Sequence, residues 1–138
     1  MRVVLDSNVI IAAFAARGLC NALFEHCLEQ HTVILCEEIL IEVEEKLLKK
    51  IKLAKSAVKD IINFLREFAQ LKISQEVNPD ICRDKNDLFI LGVSLSAKAD
   101  YIITGDKDLL IIETFQEIKI TSPRSFWDAM KGNGKNKI

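Results

Sequence analysis

No run of about 18 consecutive apolar residues occurs in the chain, which excludes an ordinary membrane-spanning helix. Charge of one sign is missing too. Nineteen Lys and Arg stand against 20 Asp and Glu, for a net −1. Overall charge therefore carries no nucleic-acid footprint, and any basic surface must be local. The four cysteines, Cys20, Cys27, Cys36 and Cys82, form no C-x-x-C pair and no regular framework. They read as reduced thiols, buried as small hydrophobes in a cytoplasmic protein. A zinc site from Cys20, His26, Cys27 and His31 matches no zinc spacing. Aromatics are only 7% of the chain, without the stacking signature of an RNA-recognition module. The start, MRVVLDSNV, lacks the apolar core and cleavage site of a signal peptide.

What remains is ordinary globular material. At 138 residues, 49% hydrophobic and 28% charged, the chain fits one domain that buries roughly two-thirds of its unfolded surface. We expect that domain over residues 1–131, with a fraying tail over 132–138 that lacks apolar periodicity.

Short apolar runs alternate with amphipathic ones. Residues 2–5, 32–35, 71–74, 101–105 and 118–121 read as strands. Residues 19–31, 36–51, 54–69 and 84–99 read as helices, with a short one near 106–112. Asn78-Pro79 marks a turn. A last helix opens with Ser122 as N-cap and Pro123 in its first position. This alternation predicts an α/β fold, a three-layer α/β/α sandwich around a parallel sheet of four to five strands.

In such folds ligands gather at the carboxyl ends of the strands, and carboxylates stand there. Asp6 follows the first strand and Asp106 follows YIIT. Asp84 and Asp87 share one face of a helix start, as Glu38 and Glu42 share a face of the second helix. Asp108 lies two residues beyond Asp106. Singly, each has a bland explanation: acids in a first helical turn complement the dipole, and glutamates usually coat a solvated face. Together at one edge they repel unless a cation compensates. Oxygen donors without His or Cys suit Mg²⁺ or Mn²⁺, one ion or two. Such ions favour hydrolysis of a phosphodiester. A phosphatase with an aspartyl nucleophile would want an acid at position 8, which is Asn. A receiver domain would want Lys-Pro, and the only prolines follow Asn78 and Ser122.

The ordered set D-S-N at 6–8, E-E-I-L-I-E-V, D-K-N-D-L-F-I-L-G-V-S-L and A-D-Y-I-I-T-G-D-K-D-L-L resembles the PIN-domain family, in its prokaryotic branch of toxin–antitoxin toxins. The resemblance spans roughly residues 2–130. It implies a metal-dependent ribonuclease whose acids are Asp6, Glu42, Asp87 and Asp106, with Glu38 competing for the second position. Asp84 and Asp108 become supporting ligands, while Ser7, Asn8 and Thr104 orient the acids or touch phosphate. It also implies an antitoxin partner and, in many members, a homodimer.

The stretch 46–59 holds six lysines and no acid. It reads either as a solvated face or as a seat for RNA backbone. Arg83, Lys85 and Lys107, beside the acids, are the better candidates for phosphate contact. Phe115, Phe126 and Trp127 read as core, with Trp127 also fitting a partner groove. The competing functions are a non-catalytic RNA- or protein-binding module, and a nuclease acting on DNA or in rRNA processing.

Overall fold

The computed structural model describes the backbone of residues 1–136 and the side chains through Lys131. Strand β1 is Arg2–Leu5, followed by helices α1 (Ser7–Ala15) and α2 (Leu19–Gln30). Strand β2 (Thr32–Leu35) leads into α3 (Glu37–Lys49), α4 (Lys55–Phe68) and a short β3 (Gln70–Leu71). A loop with two 3₁₀ turns, Pro79–Ile81 and Lys85–Asp87, precedes α5 (Leu88–Ser96). Then come β4 (Tyr101–Ile103), α6 (Lys107–Leu110), β5 (Thr114–Phe115), β6 (Ile118–Thr121) and α7 (Pro123–Asn136). Of the tail expected over 132–138, residues 137 and 138 lie outside the described residues.

The sheet order is β3-β2-β1-β4-β6-β5. Every pairing is parallel except β5 with β6. The sheet has six strands rather than four or five because β5 adds itself by a hairpin. Parallel crossovers are right-handed, so connections running toward β3 and the one returning to β4 cover opposite faces. That gives the α/β/α sandwich. Val3, Val4, Leu5, Ile34, Leu35, Ile102 and Ile103 are fully buried in the central strands. Buried on both faces, these strands read as continuous apolar runs.

Helix α1 has no counterpart in the sequence reading, for a physical reason. Val9, Ile10, Ile11 and Ala13 are all buried where α1 packs against α2 and α3, so no polar face betrays its period. Helix α5 is shorter than the expected 84–99. Asp84 Oδ1 accepts the Asn86 amide at 2.9 Å, which tightens the first turn to 3₁₀. At the other end Lys98 takes φ 52°, a left-handed stop made without glycine. No single helix among the described residues is long and apolar enough to cross a membrane.

Strand β3 ends earlier than expected because the following segment leaves β2 for α5. Ser96 Oγ donates to the Ile73 carbonyl, Ser74 Oγ to the Phe89 carbonyl at 3.0 Å, and the Gln75 amide to the Gly92 carbonyl at 3.3 Å. This close crossing requires Gly92. A Cβ there would sit 2.2 Å from the backbone oxygen of Gln75 and 2.2 Å from Ser74 Oγ. Alanine would gain about 1 kcal/mol of helix propensity, but such overpacking costs about 1–3 kcal/mol or more, and a backbone oxygen cannot swing aside. Gly92→Ala should therefore destabilise the fold by a net ~1–2 kcal/mol, read as a lower urea midpoint at unchanged slope. An unchanged or raised midpoint would mean that the 73–77 segment yields freely.

Candidate metal centre

The carboxyl edges of β1 and β4 form the crevice from which the chain departs in both directions, the switch point at which open α/β sheets place ligands. The ladder brings the first residues together. Leu5 pairs with Ile103, and the Asp6 amide donates to the Ile103 carbonyl at 3.0 Å. Asp6 and Thr104 thus leave adjacent strands side by side. Thr104 Oγ1 donates to Asp6 Oδ2 at 2.6 Å and accepts the Asp106 amide at 3.0 Å. One hydroxyl thereby ties two of the expected acids. Asp106 Oδ1 in turn accepts the Asp108 amide at 2.8 Å and starts α6.

Ser7 Oγ lies 3.3 Å from Asp6 Oδ1 and also donates to Glu42 Oε1. Glu42 comes from α3 and is half-buried. Burial pushes its pKa up, Lys46 draws it back, and Asp6 and Asp84 push it up again. Of the two glutamates on this face, the structure brings Glu42 to Asp6. Glu38, one turn earlier, is exposed and lines a groove with Ser74, Gln75 and Phe89.

Asp87, like Asp6, is buried, 8% exposed, at the junction of the second 3₁₀ turn and α5. Burial pushes its pKa up to about 8, followed by the side chain and charge of Asp106 and the charges of Asp6 and Asp84. Its Oδ2 is buried without a hydrogen-bond partner. Asp84, Asp87 and Asp108 each present an oxygen within 4.8 Å of the others. Among the described residues this is the grouping with metal-ligand spacing, so Asp84 and Asp108 stand as close to Asp87 as ligands would. The cysteines and histidines weighed for zinc are not in it. Burial pushes the Cys27 and Cys36 thiols up to about 12, so neither is a thiolate nucleophile near neutrality.

The cations around the acids differ. Arg83 Nη2 is 3.2 Å from Asp108 Oδ1 with its side chain 87% exposed. Lys85 Nζ is held by the Pro79 carbonyl, and Lys107 is exposed. Lys46, which sequence reasoning took only as part of a basic stretch, bonds Asn8 Oδ1 at 3.2 Å. Nothing in its spacing from Asn8 could have shown this, because the two meet through the packing of α1 on α3. At the far end Phe126 is buried, Phe115 is buried, and Trp127 packs edge-on against His26 at 6.0 Å.

The donor set is all oxygen, it converges at a switch point, and one buried oxygen lacks a partner. Such a site fits a hard divalent cation. This defines an α/β protein with a carboxylate centre at the sheet edge. A family model described as PIN domain matches residues 2–108, and the chain belongs to that family. Its fold is similar to that of a chain in the crystal structure of VapBC2 from Rickettsia felis bound to a DNA fragment from their promoter, with a TM-score of 0.60. Identity is 12%, over 88% of this chain and 98% of that one. No curated protein matches the sequence.

Proposed function

We propose that this protein is a Mg²⁺- or Mn²⁺-dependent endoribonuclease, the toxin of a toxin–antitoxin pair. The observation that carries the reading is Asp87, a nearly buried carboxylate with an orphaned oxygen amid Asp106, Asp6 and Asp84. Without a cation this arrangement is unfavourable. Asp6, Asp87 and Asp106 would hold the ion, with Asp84, Asp108 and Glu42 completing or supporting the set. When bound, the cation supplies charge neutralisation for a phosphodiester and acidifies water.

The chain's own residues do the rest. Thr104 holds the Asp6 carboxylate through Oδ2, and the Ser7 hydroxyl beside it holds Glu42. Arg83, at the exposed rim, meets the phosphate of an incoming strand. The likeness to VapBC2 of Rickettsia felis supports a cognate antitoxin as partner.

The test is cleavage of single-stranded RNA and DNA in Mg²⁺ or Mn²⁺, with and without excess EDTA. RNA cleavage should vanish with the chelator and return with metal. Cleavage indifferent to EDTA would overturn the metal dependence. Preferential cleavage of DNA would overturn the ribonuclease assignment.

A further inference from the structure

Six carboxylates, Asp6, Glu42, Asp84, Asp87, Asp106 and Asp108, line the centre, and one or two divalent ions offset four charges at most. A polyanionic strand approaching it needs cations at the rim. We infer that Lys46, together with the amide of Asn8, forms a phosphate subsite that holds an RNA backbone phosphate beside the acids. The inference deepens the nuclease reading and rests on it for the identity of the strand.

Lys46 is unlike its five neighbours in the 46–59 stretch. Lys49, Lys50, Lys52, Lys55 and Lys59 are exposed, and Lys55 and Lys59 line a groove between α3 and α4 with Glu44 and Arg66. Lys46 is half-buried, with 30% of its side chain exposed, and its ammonium reaches Asn8 Oδ1 at 3.2 Å. Glu42 Oε1 is 3.8 Å away, a charge contact too long for a hydrogen bond. Glu42 already accepts from Ser7.

An ammonium has three donors, and Asn8 engages one. The other two stay available next to the metal-binding carboxylates. Because the ammonium can only donate, Asn8 must turn Oδ1 toward it, which leaves the Nδ2 protons for another acceptor. Side by side, a fixed charge and an oriented amide donor suit a phosphate oxygen. As a mere surface ion pair, Lys46 with Glu42 would contribute little to folding.

The experiment measures binding of fluorescent single-stranded RNA by anisotropy, on the Asp6→Asn background so that cleavage does not interfere, and cleavage kinetics on the otherwise native chain. Lys46→Gln should weaken RNA binding and raise KM about ten-fold with kcat changed far less. It should also lower the slope of log affinity against log salt by ~0.7, the share of one phosphate contact on a single strand. Lys46→Arg should restore both. Asn8→Ala should weaken binding, with an effect not additive with Lys46→Gln. Lys59→Gln, outside the centre, is the control for general basicity.

Unchanged affinity and salt slope in Lys46→Gln would overturn the subsite. So would tighter metal binding with faster cleavage, since Lys46 would then only screen the acids. A native chain that binds RNA through Lys46 but never cleaves it would sink the nuclease reading and leave the subsite standing.

Discussion

Replacing Asp6 by Asn is expected to slow metal-dependent RNA cleavage roughly 100- to 1000-fold while leaving the protein folded. The two side chains have the same shape. Asn can keep an oxygen toward Thr104 Oγ1, which now lies 2.6 Å from Asp6 Oδ2, and its amide can meet the Ser7 hydroxyl. What disappears is the negative charge of a residue only 4% exposed, in the position where strands β1 and β4 deliver it to the other acids. Removing one anionic ligand weakens the hold on a hard cation and the alignment of everything that cation organises. Single-turnover cleavage at saturating Mn²⁺, with circular dichroism melts alongside, measures both effects. Equal rates for the two proteins would remove Asp6 from the centre.

Asp87→Asn should produce the largest gain in stability. The sign follows from linkage. With a folded-state pKa raised from 3.8 to about 8, the folded protein retains a proton that the unfolded chain has released between those values. Stability from this group is full below about pH 4 and is lost progressively as pH rises through about 8. In chelator at pH 8 the native Asp87 either keeps a proton that the unfolded chain has released or ionises among like charges, and Asn avoids both costs. A gain of ~1–3 kcal/mol corresponds to a melting temperature higher by roughly 3–10 °C for a domain of this size.

Between pH 5 and 8 the metal-free native protein should lose stability with rising pH more steeply than the variant. Saturating Mg²⁺ should close the gap by stabilising only the native chain. Cleavage should fall in the variant along with metal binding, the usual trade between stability and a strained site. Scanning fluorimetry across pH with EDTA or Mg²⁺ reads all of this. A variant less stable than the native protein at pH 8 would show that the Asp87 carboxylate has a structural partner.

The readable parts of the fold were those whose burial leaves a pattern. β1, β2 and β4 are short apolar runs, β6 alternates Ile118 and Ile120 inward with Lys119 outward, and α2, α3 and α4 each keep a polar face. Two elements left no pattern. Helix α1 is buried on most sides. The β5–β6 hairpin turns through Gln116 and Glu117, at φ 46° and 72°, where Asn-Gly would ordinarily announce such a turn. The sheet's closing pairing imposes that left-handed backbone on residues with no intrinsic preference for it.

Within the site, the acids themselves were legible because charge at the ends of apolar strands is conspicuous. Their ranking was not. Glu38 and Glu42 are equivalent in sequence, one turn apart on one helix, and only the docking of α3 beside α1 sets Glu42 against Ser7. Asp84 comes within 4.8 Å of Asp87 and Asp108 through a loop that has no periodic signal. Lys46 meets Asn8 across 38 residues.

By itself the sequence determined the alternation of strand and helix, and with it which carboxylates reach the open edge of the sheet. Hydrophobic periodicity is local and needs no knowledge of partners. Tertiary structure alone decided which oxygens come together, which of them are stripped of water, and which cation stands beside them. Distance and desolvation are set by packing between segments remote in the chain, and those two quantities decide the chemistry of charged groups.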